Sequence, residues 1–284
     1  MGVKIILDSS TDTAAGIKDR FGVVPLPVFF GEERYIDGVN LTHAEFYEKL
    51  ATYPELPKTS QATPFDYTEA YKKAIASGDD VLVLTISQKL SGTYQSAVIA
   101  AQEFPGKVFV VDTETVTIAA GVLAEYALQL ADSGMSIGEL VSTIEREKKN
   151  VRLVAMVDTL EYLKKGGRIS KTVAFAGELL NFKPVVAVED GEVKMLGKAR
   201  GAKQGNNLLE LEIEKAGGVD FGRPVLLGYS GTDSTTLHRY IDDFSKLWIG
   251  HTDDLNISEI GSVVGTHAGP GAIAAAFFAN KLGG

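Results

Sequence analysis

Four short segments carry the residue types from which a polar ligand site is built. Lys58-Thr59-Ser60-Gln61 precedes a helical stretch that opens at Pro64. Its hydroxyls either cap that helix or present neutral donors to a ligand anion. Leu90-Ser91-Gly92-Thr93-Tyr94-Gln95-Ser96-Ala97 lies between an apolar run and a second helical stretch. A helix start there offers unpaired N–H groups and a partial positive charge. Ser91 adds a hydroxyl, and Gly92 lets a ligand approach the backbone of Gly92 and Thr93. Read more plainly, Ser91 is only a cap. Gly166-Gly167-Arg168-Ile169-Ser170 sets a guanidinium after two flexible residues. This is either a helix stop with a solvated arginine or an oriented donor for a carboxylate or phosphate. Gly265-Thr266-His267-Ala268-Gly269-Pro270-Gly271 reads as a glycine-rich turn holding one imidazole. His267 is either a satisfied structural histidine or a switchable ligand contact.

Other chemistries are set aside by their missing parts. Gly228-Tyr229-Ser230-Gly231-Thr232 has Thr where a nucleophile elbow needs its second glycine. Gly197-Lys198-Ala199 lacks the hydroxyl and the glycine spacing of a phosphate-binding loop. The run from Gly269 to Ala274 fits a dinucleotide fingerprint, but too little chain follows to complete a strand–helix–strand unit. The histidines at 43, 238, 251 and 267 show no metal-ligand spacing, and there is no cysteine.

The elements that must position these segments change character along the chain. Val81–Ile86 is a continuous apolar run, as expected of a strand covered on both faces, and Val3–Leu7 and Lys107–Val111 read as further buried strands. Helices are expected after Ser9-Ser10-Thr11-Asp12, from Thr42 to Tyr53 behind a capping-box pattern, and from Pro64 to Ala76. A helix is expected from Ser91 to Glu103, and two more between Glu114 and Lys149. Val23–Phe30 carries Pro25 and Pro27 and reads as an edge or irregular strand. This rhythm predicts an N-terminal parallel-sheet α/β domain over 1–150.

From 151 to 284 the pattern predicts a C-terminal α+β domain with a mixed sheet. Strands are expected at Val151–Val157, Val225–Tyr229 and Asp254–Ile260. Asp190-Gly191 between two apolar runs predicts a hairpin. Helices are expected at Leu160–Lys165, Thr235–Leu247 and Gly271–Leu282.

The chain has 284 residues, 45% hydrophobic and 23% charged, as expected of a globular protein with one or two cores. A net charge of −9 disfavours general binding to nucleic acid, which needs clustered positive charge. No apolar run reaches the ~20 residues of a membrane helix. The apolar start is too short for a secretory signal, and Ile6 breaks the myristoylation pattern. A cytoplasmic location is therefore the expectation.

Taken together, the chain resembles the DegV family, the fatty-acid-binding subunits (FakB) of bacterial fatty acid kinase. The resemblance rests on Asp8-Ser9-Ser10-Thr11-Asp12, Thr59-Ser60-Gln61, Leu90-Ser91-Gly92-Thr93, Gly167-Arg168-Ile169-Ser170, Ala199-Arg200-Gly201 and the 265–271 segment, in that order. Ala62 follows Gln61 where relatives commonly carry Pro. The resemblance implies a two-domain α/β protein with a long-chain fatty acid in a buried tunnel between or beneath the domains. It implies that Thr59, Ser91, Arg168 and His267 hold the ligand carboxylate, with Ser60, Gly92 and Thr93 close by. Arg200 is implied in presentation to a separate kinase catalytic subunit, which binds ATP and Mg and forms an acyl phosphate for phospholipid synthesis. The protein itself is then expected to carry no cofactor, no metal and no catalytic residue, and to touch a membrane surface transiently. Two alternatives use the same residues: a serine esterase or thioesterase with Ser91 as nucleophile and His267 as base, and a carrier or sensor of another small carboxylate.

Overall fold

Continuous apolar runs become neighbouring parallel strands in the computed structural model, which describes residues 2–169, 182–248, 250–251 and 255–280. In chain order the first half contains β1 (Val3–Asp8), β2 (Gly22–Val24), β3 (Pro27–Phe30), β4 (Glu33–Ile36) and α1 (His43–Thr52). Then come β5 (Lys58–Thr59), α2 (Pro64–Ile75), β6 (Asp80–Thr85), α3 (Thr93–Ala101), β7 (Val108–Asp112), α4 (Thr117–Asp132) and α5 (Ile137–Glu147). The second half contains β8 (Val151–Met156), α6 (Glu161–Lys165), β9 (Phe182–Glu189), β10 (Glu192–Arg200), α7 (Gly201–Lys215) and β11 (Val225–Tyr229). It closes with α8 (Thr235–Asp243), α9 (Ser245–Trp248), β12 (Asn256–Glu259), α10 (Ser262–Ala268) and β13 (Ile273–Phe278). Ser170, Asp254 and Leu282, named in the sequence reading, lie outside the described residues.

Strands β2-β1-β6-β7 form an all-parallel sheet, and β4-β3-β5 form a small antiparallel one. The proline-bearing stretch 23–30 is thus split between two sheets. Pro25 lies between strands and Pro27 opens β3, where its missing N–H is tolerated. The second half builds a six-stranded mixed sheet, β10-β9-β8-β13-β11-β12, in which only β11 and β12 run parallel. Its β9–β10 hairpin turns at Asp190 (φ 51°) and Gly191 (φ 79°), the pair of left-handed residues that a two-residue turn needs.

Helix α4 touches β1 and β6 of the parallel sheet and β8, β11 and β13 of the mixed sheet. Being covered from both directions, it is buried almost continuously from Thr117 to Ala124, as expected of a helix apolar all round. Capping boxes at Thr42/Glu45, Thr63/Asp66 and Ser136/Glu139 start α1, α2 and α5.

Three expectations are corrected. The final helix is instead β13, whose six residues are all buried between β8 and β11. An Ala-rich apolar run carries no period that separates a buried strand from a buried helix. Second, residues 262–268 form α10, so Gly265 and His267 are helical. Only Gly269 (φ 74°), Pro270 and Gly271 (φ 80°) make the turn. Third, no α-helix follows Asp12, and only a 3-10 helix spans Ala15–Arg20. The polar side chains that seemed free to cap it bond elsewhere: Asp8 accepts the Ile86 N–H at 2.8 Å and Ser9 Oγ accepts the Leu26 N–H at 3.0 Å.

Candidate functional site

The four polar segments meet at one cavity beyond the carboxyl ends of the parallel strands, the usual ligand position in an open α/β sheet. Leu26, Ile86, Val116, Val263 and Val264 form much of its apolar wall. Thr59, Ser91, Arg168 and His267 supply polar groups to the same wall. The centre of a water-sized sphere can move through about 80 Å³ of it, several times the ~10–15 Å³ one water requires.

Each polar side chain comes from the end of a different element. Thr59 ends β5, whose pairing with β3 fixes its direction. Because Thr63 Oγ1 accepts the Asp66 N–H and so caps α2, the hydroxyls of Thr59 and Ser60 are not spent on that helix. Thr59 Oγ1 lies 2.9 Å from His267 Nε2. Ser91 Oγ lies 2.9 Å from Thr93 Oγ1 and accepts the Thr93 N–H at 3.3 Å. Arg168 follows Gly167, which takes φ 71° to end the α6 turn. Its Nε donates to the Leu90 carbonyl at 3.2 Å and its Nη1 to the Gly166 carbonyl at 2.6 Å. The guanidinium is therefore tethered beside Ser91 rather than solvated.

His267 Nδ1 is buried without a hydrogen-bond partner and faces Gly166. A Cβ at Gly166 would stand 2.2 Å from that nitrogen, so the missing side chain makes room for the imidazole. Burial first, and the Arg168 charge second, push the His267 pKa down to about 4. The ring is neutral at pH 7. With the proton on Nε2 it donates to Thr59 Oγ1, which leaves the Thr59 hydroxyl proton to point at a ligand. With the proton on Nδ1, Nε2 instead accepts the Thr59 hydroxyl, and in either form Nδ1 stays buried without a partner. Two hydroxyls, a neutral imidazole and a guanidinium around an apolar cavity suit an anionic head on a greasy body.

The other candidate residues stand differently. Ser60 reaches the cavity wall from an exposed position. Thr93 is buried and acts on Ser91. The space over the Gly92 Cα is filled by Gln61, whose Oε1 sits 1.9 Å from where a Cβ would be and whose Nε2 donates to Ser96 Oγ at 3.0 Å. Arg200 is exposed at the far end of β10 from the cavity-lining Val193. They stand seven positions apart along the strand, roughly 20 Å. Gln61 and Gly166 were missed as supporting residues; Gly166 was visible only as half of a double glycine. Among the described residues, no group of three or more His, Cys, Asp or Glu is arranged to hold a metal ion. None of the described helices is long and apolar enough to cross a membrane.

Residues 2–280 match the sequence model of the DegV family, described as uncharacterised proteins. The chain belongs to the DegV family. It is 37% identical over 281 residues to a DegV domain-containing protein of Deinococcus radiodurans, covering 97% of this chain and 98% of that one. A DegV family protein of Thermus thermophilus, described by its fatty acid binding, matches with a TM-score of 0.86 at 33% identity, covering 98% of this chain and 100% of that one. The fatty acid kinase B3 protein of Streptococcus pneumoniae, solved loaded with linoleic acid, shares the fold with a TM-score of 0.85 at 24% identity, covering 99% of this chain and 100% of that one. The family resemblance read from the motifs is thus borne out.

Proposed function

We propose that this DegV protein holds a long-chain fatty acid in the cavity, with the carboxylate at Thr59, Ser91, Arg168 and His267. In this reading it presents that carboxylate to a separate ATP- and Mg-dependent kinase subunit for acyl-phosphate formation. The observation that carries the reading is the meeting of these four side chains, from four distant stretches of chain, at one apolar cavity. The fatty acid binding of the Thermus thermophilus relative supports it. The kinase step is supported by the fold shared with the Streptococcus pneumoniae fatty acid kinase B3 protein. The reading keeps the division into domains 1–150 and 151–284, a cytoplasmic location, a transient membrane contact for ligand exchange, and a role for Arg200 at the kinase-facing surface.

Energetics divide the labour. Each buried methylene contributes ~0.8 kcal/mol, so a chain of ~15 gives ~12 kcal/mol gross, reduced by association and ordering costs. The tail supplies affinity. The head group supplies orientation, because a bare buried carboxylate is strongly penalised. The hydroxyl donors and the Arg168 charge keep it anionic, and so nucleophilic toward a γ-phosphate.

Two contacts speak against hydrolysis. A serine nucleophile needs its base within hydrogen-bond reach, but His267 Nε2 is engaged by Thr59 and Ser91 Oγ pairs with Thr93. The test is organic extraction of the purified protein and mass spectrometry, followed by titration with oleate. A co-purified fatty acid, or saturable oleate binding, is expected. A consistently empty protein that refuses oleate refutes the reading.

A further inference from the structure

We propose that Asp12 is a positioning residue for His267, acting through helix α10. The proposal rests on the fatty-acid reading only for its binding readout. Asp12 is 6% exposed, and both its oxygens are engaged. Oδ1 accepts the Gly261 N–H at 3.0 Å, immediately before α10, and Oδ2 accepts the Thr117 hydroxyl at 2.5 Å, at the start of α4. One carboxylate therefore ties the central helix to the start of the helix that carries the imidazole.

The Asp12 bond is one of several that fix this end of α10. Asp37 accepts the Ser262 hydroxyl, and the Tyr47 hydroxyl donates to the Ile260 carbonyl at 2.7 Å. Gly261 is wedged between Asp12 and His43. A Cβ there would lie 3.0 Å from both Asp12 Oδ1 and His43 Nε2, a tight fit that would push either neighbour back by a few tenths of an ångström. Thr117 is itself held, since its N–H donates to the Ser10 carbonyl at 3.0 Å and it takes φ 54°, a left-handed conformation rare for a residue with a Cβ. From Gly261 to His267 the helix rises ~9 Å at 1.5 Å per residue. Over so short a rod, a shift at the start is delivered to the imidazole. There the tolerances are small, because Thr59 Oγ1 stands 2.9 Å away on one side and Gly166 closes the other. The Asp8-to-Asp12 motif thus acquires a task in the site without touching the cavity ligand: it sets the height of His267.

The test compares wild type, Asp12→Ala and Asp12→Asn in the full chain. Asparagine keeps a carbonyl oxygen for the Gly261 N–H and offers an amide donor to the Thr117 hydroxyl, whereas alanine keeps neither. The first readout is the ¹⁵N signature of the His267 ring, assigned with His267→Gln. The second is the oleate dissociation constant. Asp12→Ala is expected to move the ring resonances and to weaken oleate about tenfold. Asp12→Asn is expected to restore both. If Asp12→Ala does not fold, Gly261→Ala crowds Asp12 Oδ1 and His43 Nε2 with its added Cβ and is expected to move the same resonances. Unchanged His267 resonances in the alanine variants, or an asparagine variant that behaves like alanine, overturns the proposal. Should wild type refuse oleate, the fatty-acid reading fails, while the spectral comparison still decides the role of Asp12.

Discussion

Replacing His267 by glutamine gives a stability change whose size and sign follow from the site. Burial, helped by Arg168, pushes the His267 pKa down to about 4, whereas an unfolded histidine titrates near ~6.5. Between these values the unfolded chain binds the proton and the folded chain does not. Stability from this residue is therefore complete above about pH 6.5 and is lost as the pH falls toward 4. Each pH unit in that window costs about 1.4 kcal/mol, giving a loss of about 3 kcal/mol in all. Glutamine has no such titration, and its amide can still donate to Thr59 Oγ1. At neutral pH the variant is expected to be the less stable protein, because it leaves part of the imidazole's volume unfilled. As the pH falls to about 4.5, the gap between the two is expected to shift toward the variant by about 2–3 kcal/mol. Urea unfolding of ligand-free protein across this range measures the gap directly. Parallel stability–pH curves would refute the assignment of a neutral, buried imidazole.

Two further substitutions probe the same site from its supports. Ser91→Ala removes a cavity-lining hydroxyl and the acceptor of the Thr93 N–H; fatty acid affinity is expected to fall about tenfold, with a stability loss of about 1–3 kcal/mol, and equal titration curves would take Ser91 out of the site. Gly166→Ala puts a Cβ 2.2 Å from His267 Nδ1 and 3.0 Å from the Tyr162 carbonyl; it is expected to cost about 1–3 kcal/mol of stability and to weaken ligand binding, while full retention of both would show that the imidazole has room to retreat.

Local signals were legible where one element decided its own form. Asp190-Gly191 dictates its turn through two left-handed residues, and the runs of β1, β6 and β7 dictate strands because a parallel sheet is covered on both faces. Helix α1 was readable from its capping box. The failures lie where partners distant in sequence decide. Ile273–Phe278 is a strand because β8 and β11 hydrogen-bond to both its edges, and nothing within six apolar residues announces those neighbours. The 9–12 hydroxyls and carboxylates look like caps until Leu26, Ile86, Thr117 and Gly261 claim them. Helix α7, unread in the sequence, shows only a mixed polar pattern and no side-chain cap.

The candidate site was legible as residue types but not as supports, and the supports govern its geometry. Thr59, Ser91, Arg168 and His267 stand at the ends of separate elements, where a side chain has few neighbours of its own element to hold it. Two are fixed instead by groups contributed from elsewhere, His267 by Thr59 and the bare Gly166 and Arg168 by the carbonyl of Leu90, while Ser91 is held by Thr93 of the helix it precedes. Two glycines do the same work in this arrangement. At 92 the missing Cβ admits Gln61, which is then pinned to Ser96, and at 166 it admits the imidazole. A hydroxyl lost from the wall removes one donor from the cavity. A methyl added at either glycine displaces a side chain that other contacts already hold, and so disturbs several donors together. The site is thus expected to tolerate trimming better than crowding, and a comparison of Ser91→Ala with Gly166→Ala under one binding assay orders the two effects.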